Sequence, residues 1–154
     1  MTPPSVEFLV KGNRVLVSQM DFDRVSKYSW LTTASGDYIG RWFWGPKRWV
    51  ALARFIDETP EDSELDHINR NPFDNRRENL RRCTRKQNSY NRGPHTGKYK
   101  GVSFDGRQKQ WRASITKDGK FKHLGYFDCK KQAATVYNKK AKELFGDFAF
   151  LNEI

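Results

Sequence analysis

Three side chains in the middle of the chain have the types and spacing that suit hydrolysis of a phosphodiester bond. Asp66 and His67 are adjacent, and Asn88 follows Asp66 by twenty-two residues. A histidine whose pKa is near ~6.5 accepts a proton from water at neutral pH, so His67 is the candidate general base. Carboxylate and amide oxygens suit a hard divalent cation, so Asp66 and Asn88 are the candidate metal ligands.

Each of these residues also has an ordinary explanation when it is taken alone. A single Asp-His pair at a strand end and a single surface asparagine are both common, and Asn79, twelve residues after His67, could merely cap a turn. Neighbouring strand residues point to opposite faces, so Asp66 and His67 converge only if the strand ends there. The turn-forming residues between 69 and 75 supply such an ending. The joint spacing therefore favours a nuclease site.

The charge distribution points to a polyanionic partner. The 154 residues carry a net charge of +11, although residues 1–58 are close to neutral. The excess lies between residues 76 and 112, which contain 12 basic residues and two acidic ones. Each Lys or Arg on a phosphate releases counterions, so this block favours nucleic acid over a solubilising surface or an anionic lipid patch. We expect a cytoplasmic protein without a membrane span, because no long apolar run or secretory signal is recognised.

The elements around these residues predict an α+β protein. Alternating apolar strands flank a Gly-containing turn near residue 12, and Asp21 is predicted to cap a helix from Phe22 to about Tyr28. A T-x-x-Q pattern at Thr84 predicts a helix start near Arg85. Filling a thin core is the favoured interpretation of the tryptophans in this half of the chain, and stacking on single-stranded bases is the alternative. These tryptophans are Trp30, Trp42, Trp44 and Trp49.

The last third of the chain has the most regular pattern. Residues 110–116 alternate apolar and polar side chains, and Asp118-Gly119 is typical of a tight hairpin turn. Asp128 is predicted to cap a helix from about Cys129 to Phe145, with small alanines along one face. This pattern predicts a small three-stranded antiparallel sheet packed on one helix. Its buried side would be formed by Trp111, Ala113 and Ile115.

Residues from about 50 to 92 closely resemble the ββα-metal core of phage-type HNH homing endonucleases, and the N-terminal strands resemble that family more loosely. The resemblance lies in LDHINRNP from Leu65, DNRRENLR from Asp74, and Thr84 to Asn88. It implies that His67 is the general base, that Asp66 and Asn88 bind Mg²⁺ or a substituting Mn²⁺, and that Asn79 holds the intervening loop. The two cysteines form no C-x-x-C pair, so a Cys-rich zinc site is not expected. The residues expected to clamp phosphates near this site are Arg81, Arg82, Arg85 and Lys86.

Residues 98–152 resemble the plant ethylene-response-factor (apetala-type) DNA-binding domain. The matching stretches include YKGV from Tyr99, WRA from Trp111, LGYFD from Leu124 and AATVY from Ala133. The resemblance implies that the three-stranded sheet enters the major groove of duplex DNA. The positions implied to face DNA are Lys100, Ser103, Arg112, Ser114, Thr116, Phe121 and His123, with Lys98, Arg107 and Lys109 on phosphates.

These features together predict a two-module metal-dependent endonuclease acting on double-stranded DNA, with no obligate protein partner. The predicted parts are N-terminal strands (1–58), an HNH core (59–92), a linker (93–97) and a DNA-binding domain (98–154). The HNH resemblance implies hydrolysis that leaves 5′-phosphate and 3′-hydroxyl ends. Many relatives carry a histidine where this chain has Ala53, which motivates a non-catalytic DNA-binding regulator as the alternative. An RNA-binding protein is disfavoured, because the A-form major groove is too deep and narrow for a sheet.

Overall fold

The fold is taken from a computed structural model, which describes residues 3–45, 47–58, 60 and 62–154. The chain divides into two compact units, Met1–Arg85 and Lys86–Ile154. Helices and sheets occur in both, so the α+β class is confirmed. None of the helices in the described ranges has the length and apolarity needed to cross a membrane.

An antiparallel hairpin opens the first unit. Strands β1 (Ser5–Val10) and β2 (Asn13–Ser18) are joined by Lys11-Gly12, both with positive φ, as expected for a two-residue hairpin turn. Helix α1 (Gln19–Ser26) follows at once. The predicted cap was wrong: Ser18 is the N-cap, and Asp21 lies inside the first turn with 2% exposure. Asp21 is buried there because it binds an arginine from a distant segment, described below.

A second small sheet and a short helix complete the middle of the first unit. Strands β3 (Leu31–Thr32), β4 (Ile39–Phe43) and β5 (Arg48–Ala51) are antiparallel, and α2 (Leu52–Asp57) follows β5 directly. Trp30 is in the core, with 8% exposure and its indole N–H donated to the Val25 carbonyl at 2.9 Å. The core-filling interpretation is wrong for the other three tryptophans, which stay exposed because they lie on or beyond the outer face of this sheet.

The segment that carries the candidate site contains three short strands. They are β6 (Glu64–His67), β7 (Asp74–Asn75) and β8 (Leu80–Cys83). Strand β6 pairs antiparallel with β8, whereas β7 leaves them and pairs in parallel with β2. Within the predicted core range 59–92, residues 59 and 61 lie outside the described residues. Through the pairing of β7 with β2, the N-terminal hairpin supports the segment between β6 and β8. The buried core of the first unit includes Val15, Val17, Val25, Leu52 and Ile56.

The second unit is a three-stranded antiparallel sheet with a helix packed on it. Its elements after α3 (Arg85–Asn91) are β9 (Val102–Asp105), β10 (Gln110–Lys117), β11 (Lys120–Phe127) and α4 (Lys130–Phe145). Ile115 packs with Tyr137, Ala141 and Phe145 of α4 in one buried cluster, which confirms the predicted packing. The predicted cap of α4 was one residue too early: Cys129 is the N-cap, while Asp128 accepts a bond from the Gln110 side chain.

The boundary between the units falls inside the predicted HNH core range. Most of α3 belongs to the second unit, because Tyr90 stacks on Phe145 with ring centroids 4.0 Å apart. The Phe150 N–H also donates to the Tyr90 carbonyl at 3.2 Å. The predicted linker, residues 93–97, therefore lies within the second unit.

Candidate active site

The end of β6 holds a buried ion pair. Asp66 lies directly opposite Arg81 of β8, and Arg81 Nε and Nη2 donate to Asp66 Oδ2 at 2.9 and 2.6 Å. Asp66 is 7% exposed. Removing one partner of a buried pair leaves an uncompensated charge and typically costs about 3–5 kcal/mol. The pair therefore fixes the Asp66 carboxylate at the strand end.

His67 is the last residue of β6, and its ring is oriented by an asparagine from β7. His67 Nε2 lies 3.2 Å from Asn75 Oδ1. The Asn75 amide is itself oriented, because its Nδ2 donates to the Pro72 carbonyl at 3.1 Å and its oxygen must then face the ring. This network assigns the proton of the neutral ring to Nε2, so Nδ1 carries the lone pair that accepts a proton.

Burial is the main cause of a shift in the titration of His67. It lowers the pKa of the imidazole below its ordinary value of 6.5, while the Asn75 hydrogen bond and the carboxylates of Asp66 and Asp74 oppose that shift. A lowered pKa means that the ring is neutral at pH 7. A neutral, oriented imidazole is the form that a general base requires.

Asn79 joins the two ends of the loop between β6 and β8. Its Oδ1 accepts the Asn69 N–H at 2.9 Å, and its Nδ2 donates to Asn69 Oδ1 at 2.9 Å and to the Asp74 carbonyl at 2.7 Å. The Asn79 carbonyl also accepts the Ile68 N–H at 2.8 Å. With 6% exposure, this side chain acts as a structural link, the role that the HNH resemblance implies for it.

Asp74 is a second buried anchor of the same loop. Its carboxylate accepts bonds from Arg76 Nε and Nη2 at 2.7 Å each and from Asn69 Nδ2 at 2.8 Å. The Arg76 hydrogen bonds hold the pKa of this carboxyl below its ordinary value. The backbone of Asp74 pairs with Leu16 of β2. The loop is thus bound both to itself and to the N-terminal hairpin.

The sequence did not indicate two contacts that position the site: the pairing of Arg77 with Asp21 and the contact of Asn75 with His67. Arg77 Nε and Nη2 donate to the two oxygens of buried Asp21 at 2.7 Å each, and the Arg77 N–H donates to Ser18 Oγ at 2.9 Å. Nothing local signals this pair, because Asp21 and Arg77 lie 56 residues apart. Asn75 lies in the Asn/Pro/Asp-rich stretch that predicted only a turn, so the composition did signal a polar loop there.

The oxygen donors of the predicted ligands suit a hard divalent cation, and Asp66 is held at a strand end by contacts that use its Oδ2. Asn88 lies half-buried on α3, in the second unit, while Asp66 and His67 lie in the first. Within the described ranges, no three His, Cys, Asp or Glu side chains form a group that could hold an ion. Asp66 and Asn88 as a ligand pair stay a prediction.

The predicted phosphate-clamping residues have different surroundings. Arg81 is committed to Asp66, and Arg82 Nε donates to Asp57 Oδ2 at 2.7 Å. In the second unit, the Lys86 ammonium pairs with Asp118, and both side chains are well exposed. Arg85 is exposed at the start of α3. Exposed ion pairs of this kind contribute little to stability and exchange readily.

One face of the β9–β11 sheet brings together six of the seven positions predicted to face DNA. The register pairs Arg112 with Ser103 across β10 and β9. It pairs Ser114 with His123 and Thr116 with Phe121 across β10 and β11, despite a bulge after Ala113. The opposite side carries the buried Ala113 and Ile115. We call the six-residue surface the groove face: Ser103, Arg112, Ser114, Thr116, Phe121 and His123.

Lys100 is the predicted position that does not join the groove face. Its ammonium group donates to the carbonyls of Tyr90 and Arg92 at 2.8 and 2.7 Å, at the C-terminal end of α3. Carbonyls at a helix end lack intrahelical partners, which explains this attraction for a cation. Lys98 and Arg107, predicted to contact phosphates, are both exposed, as is Lys109.

Comparison with known proteins addresses the class of this site. The profile of a family described as HNH endonuclease matches residues 50–90, from β5 through most of α3. Over 150 residues the chain is 36% identical to an uncharacterized HNH endonuclease of Acanthamoeba polyphaga mimivirus, covering 94% of this chain and 77% of that protein. The chain belongs to the HNH endonuclease family.

A second relative extends the comparison to a bacteriophage. The HNH-family chain is 33% identical over 93 residues to protein 3.8 of Escherichia phage T7, covering 58% of this chain and 76% of that protein. No solved structure matches the chain. Family membership supports nuclease activity in general, on a DNA substrate and with a divalent metal ion.

Proposed function

We propose that this HNH-family chain is a homing-type endonuclease that hydrolyses duplex DNA, with His67 as its general base. The observation that carries the proposal is the state of His67. His67 Nε2 lies within hydrogen-bond distance of Asn75, and burial lowers the pKa of the imidazole from its ordinary value. Asp66, the preceding residue, is held by its ion pair with Arg81.

The proposed chemistry begins with proton transfer to His67. Nδ1 removes a proton from a water molecule as that water attacks the phosphorus atom, and the bond from phosphorus to the 3′ oxygen then breaks. The departing 3′ oxygen takes up a proton from solvent water, so the products carry 5′-phosphate and 3′-hydroxyl ends. Asp66 and Asn88 would hold a divalent ion, Mg²⁺ or Mn²⁺, which when bound neutralises charge on the phosphate and on the departing oxygen. The Asn75 hydrogen bond keeps the proton of the neutral ring on Nε2, so that Nδ1 is the atom that accepts the proton from water.

The groove face is the proposed contact with the major groove of duplex DNA, as in the plant domain that this part of the chain resembles. A small sheet can enter that groove, and its outward side chains read base edges. Contacts to phosphates would position the protein without reading sequence. Arg85, Lys98 and Arg107 are exposed and are the proposed phosphate contacts, and the exposed side chains of Arg82 and Lys86 can exchange their carboxylate partners for phosphate.

A plasmid nicking assay tests the proposed function. Supercoiled DNA is incubated with the full chain and Mg²⁺ or Mn²⁺, with EDTA as the metal-free control. We expect metal-dependent cutting that His67→Ala reduces by roughly 10²–10⁴-fold, the usual contribution of a general base. The matched control, His95→Ala, changes an exposed histidine outside the groove face and should leave cutting unchanged.

Two outcomes of this assay would contradict the proposal. A His67→Ala protein that cuts as fast as the wild type would remove His67 from the chemistry. A wild-type protein that shifts duplex DNA in a gel, yet cuts none with either ion, would instead support the non-catalytic regulator motivated by Ala53.

A further inference from the structure

Helix α3 has a single apolar or aromatic side chain with which to pack. Of its seven residues, Arg85–Asn91, that side chain belongs to Tyr90. An isolated helix shorter than about 12–15 residues is marginal in water, so α3 depends on tertiary contacts. The Tyr90 ring packs against the buried cluster of the second unit and stacks on the ring of Phe145, with centroids 4.0 Å apart. Tyr90 is therefore the main anchor of α3.

The C-terminal end of α3 is bound by the same unit. The Lys100 ammonium donates to the carbonyls of Tyr90 and Arg92 at 2.8 and 2.7 Å. The Phe150 N–H also donates to the Tyr90 carbonyl, at 3.2 Å. The last carbonyls of a helix lack partners within the helix, so these donors satisfy the end of α3 from outside it.

The first turn of α3 is bound more weakly. The Lys86 ammonium pairs with the carboxylate of Asp118, in the turn between β10 and β11. The Tyr90 hydroxyl lies 3.5 Å from the same carboxylate. Both contacts are exposed, and exposed ion pairs contribute little to stability. The stacked ring of Tyr90 therefore does most to hold the helix in place.

Asn88 lies on the opposite side of α3 from this anchor. Successive residues of an α-helix are rotated by about 100°, so two residues that are two positions apart point in nearly opposite directions. Tyr90 faces the buried cluster of the second unit, and Asn88 consequently projects away from that cluster. A shift or local unfolding of α3 would displace the Asn88 amide, because the two residues share one short helix.

We propose that Tyr90 is a positioning residue for the divalent ion, because its ring fixes α3 and with it the Asn88 amide. The inference rests on the proposed function, in which Asn88 is a ligand of that ion. An amide oxygen suits a hard cation. Groups that orient a metal ligand without touching the metal commonly change metal affinity by about 10–100-fold. The DNA-binding unit would thus control how well the nuclease site holds its ion.

Binding of Mn²⁺ to the full chain without DNA tests the inference. Loss of the free-ion signal in electron paramagnetic resonance measures the affinity, and Asn88→Ala shows how much of it the amide contributes. Tyr90→Ala should weaken Mn²⁺ binding by about tenfold, because α3 is no longer held. Tyr90→Phe should retain the wild-type affinity, since it keeps the ring that stacks on Phe145 and loses only the contact of the hydroxyl with Asp118.

The matched control is Phe104→Ala, which removes an aromatic contact elsewhere in the second unit. The Phe104 ring meets that of Trp111 edge to face, with centroids 5.3 Å apart. This variant should bind Mn²⁺ as the wild type does. Amide hydrogen exchange supplies a readout that needs no metal ion. Tyr90→Ala should speed exchange in α3 and leave the amides of β9–β11 protected, which also shows that the unit stays folded.

Two results would overturn this inference and leave the proposed function standing. One is Tyr90→Ala with wild-type affinity for Mn²⁺ when Asn88→Ala binds the ion weakly. The other is a general effect, seen as an equal loss of affinity in Phe104→Ala or as faster exchange throughout the second unit in Tyr90→Ala. A different result, wild-type affinity in Asn88→Ala, would remove Asn88 from the proposed ligands and this inference with it.

Discussion

The loop between β6 and β8 and the groove face of the second unit are built on opposite principles. In the loop, the side chains of Asn69, Asp74 and Asn79 make the hydrogen bonds that hold the backbone in place. In the groove face, the ladder of β9, β10 and β11 holds the backbone, and the side chains are left to face outward. A change of side chain in the loop should therefore damage the fold itself. The same change on the groove face should affect DNA binding alone.

The largest expected effect is that of Asn79→Ala on stability. It removes three side-chain bonds, of which the one to the Asp74 carbonyl is buried, at a cost of about 3 kcal/mol in the free energy of unfolding. Urea unfolding followed by tryptophan fluorescence reports this, since four of the five tryptophans lie in the first unit. The control Asn71→Ala removes an exposed amide that binds the Phe73 N–H, and should cost about 1 kcal/mol or less. Equal losses in the two variants would contradict the comparison.

An intermediate effect is expected for Arg112→Ala on the groove face. Loss of a base or phosphate contact should weaken duplex binding by roughly tenfold, while the free energy of unfolding stays within about 0.5 kcal/mol. Fluorescence anisotropy with a labelled duplex oligonucleotide, in the presence of EDTA, measures the first quantity, and urea unfolding measures the second. The control is Lys131→Ala, which removes one positive charge from an exposed position on α4 of the same unit. If Lys131→Ala weakened binding as much, charge alone would explain the result and the groove face would have no special role.

The smallest effect expected is a shift in pH dependence with Asn75→Asp. Cutting requires neutral His67, so activity is retained above the pKa of His67 and lost as the pH falls through it. Burial lowers that pKa, which places the acidic limb of the wild-type kcat/KM profile below pH 6.5. A carboxylate at position 75 would stabilise the charged ring, raise its pKa and move the limb to higher pH. Asn71→Asp adds the same charge to an exposed loop residue and should move it less. A limb unmoved in Asn75→Asp would show that another group controls it.

The sequence predicted those parts of the fold in which local patterning decides the outcome. The alternation along β10 identified its buried side, and the alanines of α4 identified the face that packs on it. The hairpin of β1 and β2 followed from a Gly-containing turn between apolar strands. In each case the relevant neighbours lie within a few residues, or on one regular periodicity, so no distant partner is needed to read the pattern.

The parts that could not be predicted depend on distant partners. Asp21 was interpreted as a helix cap. Its bond to Arg77 forms only in the tertiary structure, between residues 56 positions apart, so no local pattern indicates it. The parallel pairing of β7 with β2 involves only two residues on β7, too few to show a pattern. Tryptophans 42, 44 and 49 were assigned to the core because hydrophobicity does not distinguish the two sides of a sheet that is aromatic on both.

The candidate site was predicted unevenly for the same reason. Spacing and the HNH resemblance singled out Asp66, His67 and Asn79, and these residues lie at the two ends of one bound loop. The partner that orients His67, Asn75, was not identified, since a turn-forming residue gives no sign of which side chain it will bind. Asn88 stays a prediction as a ligand, because it lies in the other unit.

The parallel strand β7 limits how this nuclease segment can be exchanged between proteins. The stretch that matches the family profile begins at residue 50. However, the backbone of β7 pairs with residues 16 and 17, and the Arg77 side chain binds the carboxylate of Asp21 on α1. A graft of residues 50–90 into a foreign scaffold would lose both supports, leaving Asn75 without a fixed place beside the imidazole. Recombination that keeps the hairpin and the loop together would transfer the loop with both of its supports. During synthesis, moreover, the hairpin leaves the ribosome first and offers a finished edge to the strand that follows.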